Sequence, residues 1–179
     1  MEFLTMSKLE VQNRTNAGAD KSDHASIDKI TVGAAIIRNT DGCNEILLLK
    51  RNADEAYYPN VFEIPGGKVD AQDTCIRDAI VREVVEETGL QVSAITAALP
   101  PMRYTTRKTT RDAAGTEVVI ERQALQLSYI VSIDPEQGMN FIVNKNEHSM
   151  GRWVGLESLQ GVDMTDEMRR IVLVALRTT

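Results

Sequence analysis

The 179 residues, 42% of them hydrophobic, suit one globular domain with a core of its own. A formal net charge of -6 with no basic tract argues against long nucleic acid as a partner, because the average field repels a polyanion. No apolar run of about 18 residues or more offers a membrane span, and two cysteines, Cys43 and Cys75, are too few for a disulfide framework and read as free thiols in a reducing compartment.

Residues 1–28 read as a disordered tail. Asn, Ser, Asp, Lys, Gly and Thr dominate from Gln12 to Ser26 without an apolar period, and the start lacks the sustained apolar core of a signal peptide. His24, with no Cys or His at a ligand spacing, reads as solvated. A cytoplasmic location is expected, with the nucleus left open. The ordered domain is expected over 29–179. Thr31 to Arg38 and Ile46 to Lys50 are strands apolar on both faces, joined by the hairpin turn Asn39-Thr40-Asp41-Gly42. Such strands need cover on each side, which implies a sheet between helices. Arg51, at the second strand's end, is a candidate for the cleft. Tyr57 and Tyr58 occupy the next loop, where they either stack on a base or ribose or pack on the core.

The stretch from Pro65 to Leu90, PGGKVDAQDTCIRDAIVREVVEETGL, organises the rest. Gly66 and Gly67 let a ligand approach the backbone, and Lys68 sets a positive charge beside them. A helix is expected from Asp73 or Thr74, either a good N-cap, to Gly89 as its left-handed C′ residue. Its last turns place Glu83, Glu86 and Glu87 on one face, with Ile76, Ala79, Ile80 and Val84 read as an apolar stripe on the opposite side. Arg82 can pair with Glu86 one turn on. The acidic comb is either a solvated surface or the seat of a hard divalent cation, which relieves the repulsion and takes carboxylate oxygens. The glycine turn in front favours the seat, and so a phosphate-ester or phosphoanhydride hydrolase.

Gly67, Arg82-Glu83-Val84, Glu86-Glu87 and Gly89-Leu90 stand in the order of a known signature, and the chain resembles the Nudix hydrolase family. REVVEETGL fits without a gap. Five residues separate Gly67 from Asp73, as in the family, but eight rather than seven separate Asp73 from Arg82. One extra residue before the helix leaves the role of Asp73 open. The resemblance implies an α/β/α sandwich with a mixed β-sheet between helices. It implies Mg²⁺, or Mn²⁺, held by Glu83, Glu86, Glu87 and the Gly66 carbonyl, with Arg82 orienting a carboxylate. Gly67, Lys68, Arg51 and Tyr58 would meet the substrate, a nucleoside diphosphate linked to another moiety. Nucleoside triphosphates including oxidised ones, nucleoside diphosphate sugars such as ADP-ribose, and dinucleoside polyphosphates all remain open. The product is a nucleoside monophosphate. The alternative is a non-catalytic nucleotide-binding regulator of the same fold, and a homodimer is compatible with either.

Downstream, Gln91 to Ala98 is a short strand. Met102 to Thr110 and Glu117 to Ile133, the latter one strand or two, form a hairpin around a turn at 112–115. Its basic first arm is either a solvated face or a nucleotide-facing arm using Arg103 and Arg107. Tyr104 falls short of the offset the resemblance implies for a dinucleoside-polyphosphate tyrosine. Asp134 to Lys145, with Pro135 and Gly138, is a loop. Asn146-Glu147-His148-Ser149 precedes a strand bearing Trp153, which is read as core. The resemblance puts an acidic base here, Glu147 by position, with His148 as competitor. Thr165 caps a final helix whose Met168, Ile171, Val172, Ala175 and Leu176 should cover the sheet face left bare by the first.

Overall fold

Strand β1 (Lys29–Thr40) is buried from Ile30 to Ile36, and β2 (Cys43–Arg51) has Ile46 to Leu49 wholly buried. The computed structural model, which describes residues 1–17, 26–113, 115–134 and 140–178, covers both faces of these strands. Asp41 and Gly42 turn the hairpin with φ of 53° and 82°, the double positive φ that matches strand twist in a two-residue turn. On its other side β1 runs parallel to β6 (Glu117–Ile133), a single long strand. β2 pairs antiparallel with β3 (Phe62–Glu63) and β7 (His148–Gly155), while β4 (Val92–Ala98) and β5 (Met102–Arg111) pair antiparallel with β6. The seven-stranded sheet is therefore mixed.

Side chains alternate across a strand, and the two helices divide them. Val32, Ile36, Leu47 and Leu127 pack on Ile76, Ile80 and Val84 of α2 (Ile76–Thr88). Ala35, Ile46, Leu48 and Ile130 pack on Met168, Ile171, Val172 and Ala175 of α3 (Asp166–Thr178). Thr165 Oγ1 accepts the Met168 N–H at 3.2 Å, capping α3. The α/β/α sandwich is thus the architecture of this chain. Among the described residues, no helix is long and apolar enough to cross a membrane.

Two features position the site. β1 and β2 are in register only from Ile37–Thr40 against Cys43–Ile46. Beyond that they diverge, and 65–69 fills the seam: Val32 N–H donates to the Gly67 carbonyl at 2.8 Å, Ala34 N–H to that of Pro65 at 2.7 Å, and Val69 N–H to that of Ile30 at 3.1 Å. Gly66 sits so close to β1 that a Cβ would lie 2.2 Å from the Val32 carbonyl oxygen. No side chain fits there.

The second feature lies within the stretch expected as a tail. Ser7 and Glu10 form a capping box, Ser7 N–H donating to Glu10 Oε2 at 2.7 Å and Glu10 N–H to Ser7 Oγ at 3.3 Å. Helix α1 (Lys8–Ala17) follows and buries Val11 against the α2 side of the core. The carbonyls of Met6 and Leu4 accept the N–H groups of Ile76 and Arg77 at 2.9 and 3.0 Å. Residues 1–17 are therefore packed structure and not a tail. They also explain why α2 starts at Ile76, after Cys75, and not at Asp73 or Thr74. Its first unsatisfied N–H groups are met by a remote segment, which leaves Asp73 for other work. His24, Pro135 and Gly138 lie outside the described residues.

Candidate active site

Glu83 falls three residues after Ile80 and seven after Ile76, and Glu87 falls four after Glu83 and seven after Ile80, so both continue the apolar stripe of α2 and do not stand opposite it. Both are buried, with 7% and 2% exposure, alongside Ile76, Ala79, Ile80 and Val84. They face the glycine turn. Glu87 Oε2 accepts the Gly66 N–H at 2.8 Å, and a Cβ on Gly67 would lie 2.6 Å from Glu83 Oε1. Only glycine at 67 lets the carboxylate touch the turn. A solvated acidic surface is thereby excluded for these two residues. Glu86 is different: its side chain is half exposed and turned to Arg82.

Arg82 ties the front of the motif to the back. Its Nε and Nη2 each donate to Asp73 at 2.9 Å, a two-bonded fork. Nη1 reaches Glu83 Oε1 and Glu86 Oε2, each at 2.9 Å, and Nη2 also reaches the Lys68 carbonyl at 3.0 Å. The extra residue before the helix is absorbed at 74–75, and Asp73 anchors Arg82. Burial pushes the Asp73 carboxyl up, but the Arg82 and Asp70 hydrogen bonds and the Arg82 charge outweigh it and hold it below the usual range. Burial pushes Glu83 up to about 7 against the pull of Arg82. Glu87 stands well above its ordinary value through burial, resisted by the Gly66 N–H and reinforced by the charges of Glu63, Glu83 and Glu147.

The remaining candidates separate. Glu147 is exposed at the rim, near enough for its charge to act on both buried glutamates. His148 is buried, with Nε2 3.3 Å from Glu63 Oε1 and Nδ1 3.9 Å from Glu87 Oε1, and Nδ1 has no hydrogen-bond partner. Arg51 faces a cleft beside the turn, but its guanidinium is committed to the Tyr57 carbonyl, Glu63 and Glu55 at 2.7–2.9 Å. It braces the loop. Tyr57 and Tyr58 line that cleft. Arg103 does not: Met102, Tyr104 and Thr106 line it, and strand alternation turns Arg103 to the other face. Arg107, on that same face, pairs with Glu121 at 2.6 Å. Reading alternation from Met102 onward would have found Tyr104, whose hydroxyl lies 3.2 Å from Thr31 Oγ1. Gln126, also in the cleft, gave no signal in the sequence because its neighbours on β6 read as core.

Among the described residues no three acidic, imidazole or thiol groups are gathered into a ready coordination cluster, and Glu86 is paired with Arg82. The donors nonetheless fit a hard divalent cation. Burial raises both Glu83 and Glu87; Glu83 shares its Arg82 with Asp73 and Glu86, and the space a Cβ would fill at Gly67 keeps Glu83 open to the turn.

A carboxylate-bearing helix end is buried against a glycine turn that is itself stitched into a sheet seam. The chain belongs to the Nudix hydrolase family: the NUDIX domain model matches residues 28–174. Over 62 residues it is 42% identical to the 8-oxo-dGTP diphosphatase of Escherichia coli (strain K12), a match spanning 35% of this chain and 45% of that one, under half the relative's length. The fold resembles the NUDIX domain of Shewanella oneidensis NrtR, solved with ADP ribose, at TM-score 0.62 and 18% identity over 97% of this chain and 100% of that one. It also resembles the MutT protein of Methanosarcina mazei Go1, at TM-score 0.62 and 22% identity over 84% and 94% of the two chains. At these identities the likeness to both structures is one of fold.

Proposed function

We propose that residues 29–179 form a Mg²⁺-dependent pyrophosphohydrolase, cytoplasmic, that cuts a phosphoanhydride in a nucleoside diphosphate linked to another moiety. One observation supports this reading: Glu83 and Glu87 are buried carboxylates set directly against the glycine turn, Glu87 accepting the Gly66 N–H and Glu83 filling the space beside Gly67. Glu83, Glu86, Glu87 and the Gly66 carbonyl would hold Mg²⁺ or Mn²⁺, which supplies charge neutralisation at phosphate oxygens and acidifies water. Arg82 fixes the rotamers of Glu83 and Glu86 while its own position is set by Asp73. Tyr57, Tyr58 and Tyr104 offer faces for a base. Lys68, exposed at the turn, balances phosphate charge. Glu147 takes the proton of the attacking water. The water oxygen bonds to phosphorus as the bridging oxygen leaves with its electron pair, releasing a nucleoside monophosphate.

The partial likeness to an 8-oxo-dGTP diphosphatase puts oxidised purine nucleoside triphosphates first in a substrate panel, with ADP-ribose and dinucleoside polyphosphates beside them. Nucleoside monophosphate release with Mg²⁺, abolished by EDTA and by Glu87→Gln, supports the reading. Turnover in excess EDTA sinks it. Tight nucleotide binding without turnover across the panel transfers the chain to the regulatory alternative.

A further inference from the structure

Next to the tyrosine-lined cleft, and sharing Lys29, Tyr57 and Thr106 with it, lies a second cleft of ≈ 410 Å³. That is the size of a small-molecule site, about 300–1,000 Å³. Its cations arrive from five separate places: Lys8 on α1, Lys29 at the start of β1, Lys68 after the glycine turn, Lys108 on β5 and Arg122 on β6. Asp28 is the one carboxylate on the wall, and its Oδ2 is engaged by the Gln123 N–H at 2.9 Å.

In a chain with 26 acidic and 20 basic residues, cations have carboxylates to spare. Arg14, Arg38, Arg51, Arg82, Arg107 and Arg170 are all paired with carboxylates. Among the described residues, Lys8, Lys29, Lys108 and Arg122 make no ion pair, and Lys68 has only Asp70 at 4.0 Å. The like charges feel one another. Burial lowers the Lys29 ammonium, and Lys68, Arg51, Arg122 and Lys8 lower it further. Converging cations cost free energy unless an anion joins them. The net negative surface elsewhere makes this concavity a local positive focus, and Lys68 connects it to the turn beneath Glu83.

We propose that this second cleft binds phosphate groups that the hydrolysis does not touch, so that the preferred substrate carries at least one phosphate beyond the cleaved anhydride. The proposal rests on the pyrophosphohydrolase reading. The extra phosphate is supplied either by an oligophosphate chain, the far phosphate of a nucleoside triphosphate or of a longer chain between two nucleosides, or by a phosphomonoester on a ribose. The nucleoside sits between the tyrosines, the anhydride lies over the turn, and the additional charge lies among Lys29, Lys108 and Arg122.

The test compares wild type with the double variant Lys108→Ala/Arg122→Ala, neither residue being part of the hydrolytic machinery. Substrates are ADP-ribose, its 2′-phosphorylated form and a diadenosine tetraphosphate. Losing two charge-assisted contacts should lower kcat/KM about 100-fold for whichever phosphate-rich substrate fits, while ADP-ribose changes less than about threefold. Loss with the tetraphosphate alone assigns the oligophosphate chain; loss with the 2′-phosphate alone assigns the sugar ester. Equal losses on all three substrates, or none on any, overturn the proposal. Loss of binding confined to a 5′-triphosphorylated RNA oligonucleotide also overturns it, in favour of nucleic acid. Inorganic tripolyphosphate binding, measured by calorimetry without metal, separates the two levels of the argument. Should no substrate turn over, the hydrolase reading fails, and equal tripolyphosphate affinity in wild type and variant still overturns the cleft.

Discussion

Metal-free protein should become less stable as pH rises from about 4.5 to about 7, with Glu83 as the cause. Burial raises this carboxyl to about 7 from an ordinary 4.5, so between those values the folded chain holds a proton that the unfolded chain has released. Stability therefore falls with pH across that window. Ionising Glu83 in the folded state costs about 3 kcal/mol, at roughly 1.4 kcal/mol per pH unit of displacement. With 7% exposure, solvent relieves little of it. Glu87 pushes the same way, whereas Asp73, depressed below 3.8, acts only in more acidic solution. Urea unfolding from about pH 5 to about pH 8 in EDTA measures the slope, and the comparison is with Glu83→Gln, in which the Glu83 share is absent. Saturating Mg²⁺ should flatten the wild-type curve by keeping the carboxylate ionised. Parallel curves for wild type and variant, or a slope indifferent to Mg²⁺, would refute the assignment of a charge-starved carboxylate facing a cation seat.

Arg82→Ala strands Asp73, whose side chain is 3% exposed, and should cost about 3–5 kcal/mol in denaturant melts; Arg82→Lys should recover only part, since an ammonium cannot form the fork. The atoms nearest a Cβ in Gly67→Ala are the Glu83 carboxylate's, so the variant should fold yet bind Mg²⁺ about 10–100-fold more weakly by calorimetry. Gly66→Ala meets backbone at 2.2 Å and should lose more than about 2 kcal/mol of stability. Deleting residues 1–7 uncovers the Ile76 and Arg77 N–H groups, and should cost about 1–2 kcal/mol with faster hydrogen exchange at those two amides.

The sheet and α3 were legible because their signals are local. Asp41-Gly42 dictates its turn, and Thr165 with the stripe from Met168 to Leu176 dictates a capped amphipathic helix. The acidic helix is legible as a motif, but its facing is not the one its charges suggest: helical spacing from Ile76 and Ile80 puts Glu83 and Glu87 within the apolar stripe. The Ser7/Glu10 capping box is a local helix signal within a region whose polar composition otherwise reads as a tail. Other features depend on contacts between distant residues. That Arg51 is spent on Glu55 and Glu63, that Leu4 and Met6 cap α2, and that five cations meet in one cleft follow from tertiary placement.

The turn stitched between β1 and β2 has a consequence for how this centre changes over time. Pro65, Gly67 and Val69 each carry a sheet hydrogen bond, so the turn under Glu83 and Glu87 is as rigid as the scaffold and cannot drift without unzipping it. Diversification is left to the periphery, to the tyrosine loop and the protruding β5–β6 ribbon. Substitutions can accumulate there while the turn and the carboxylates against it stay fixed.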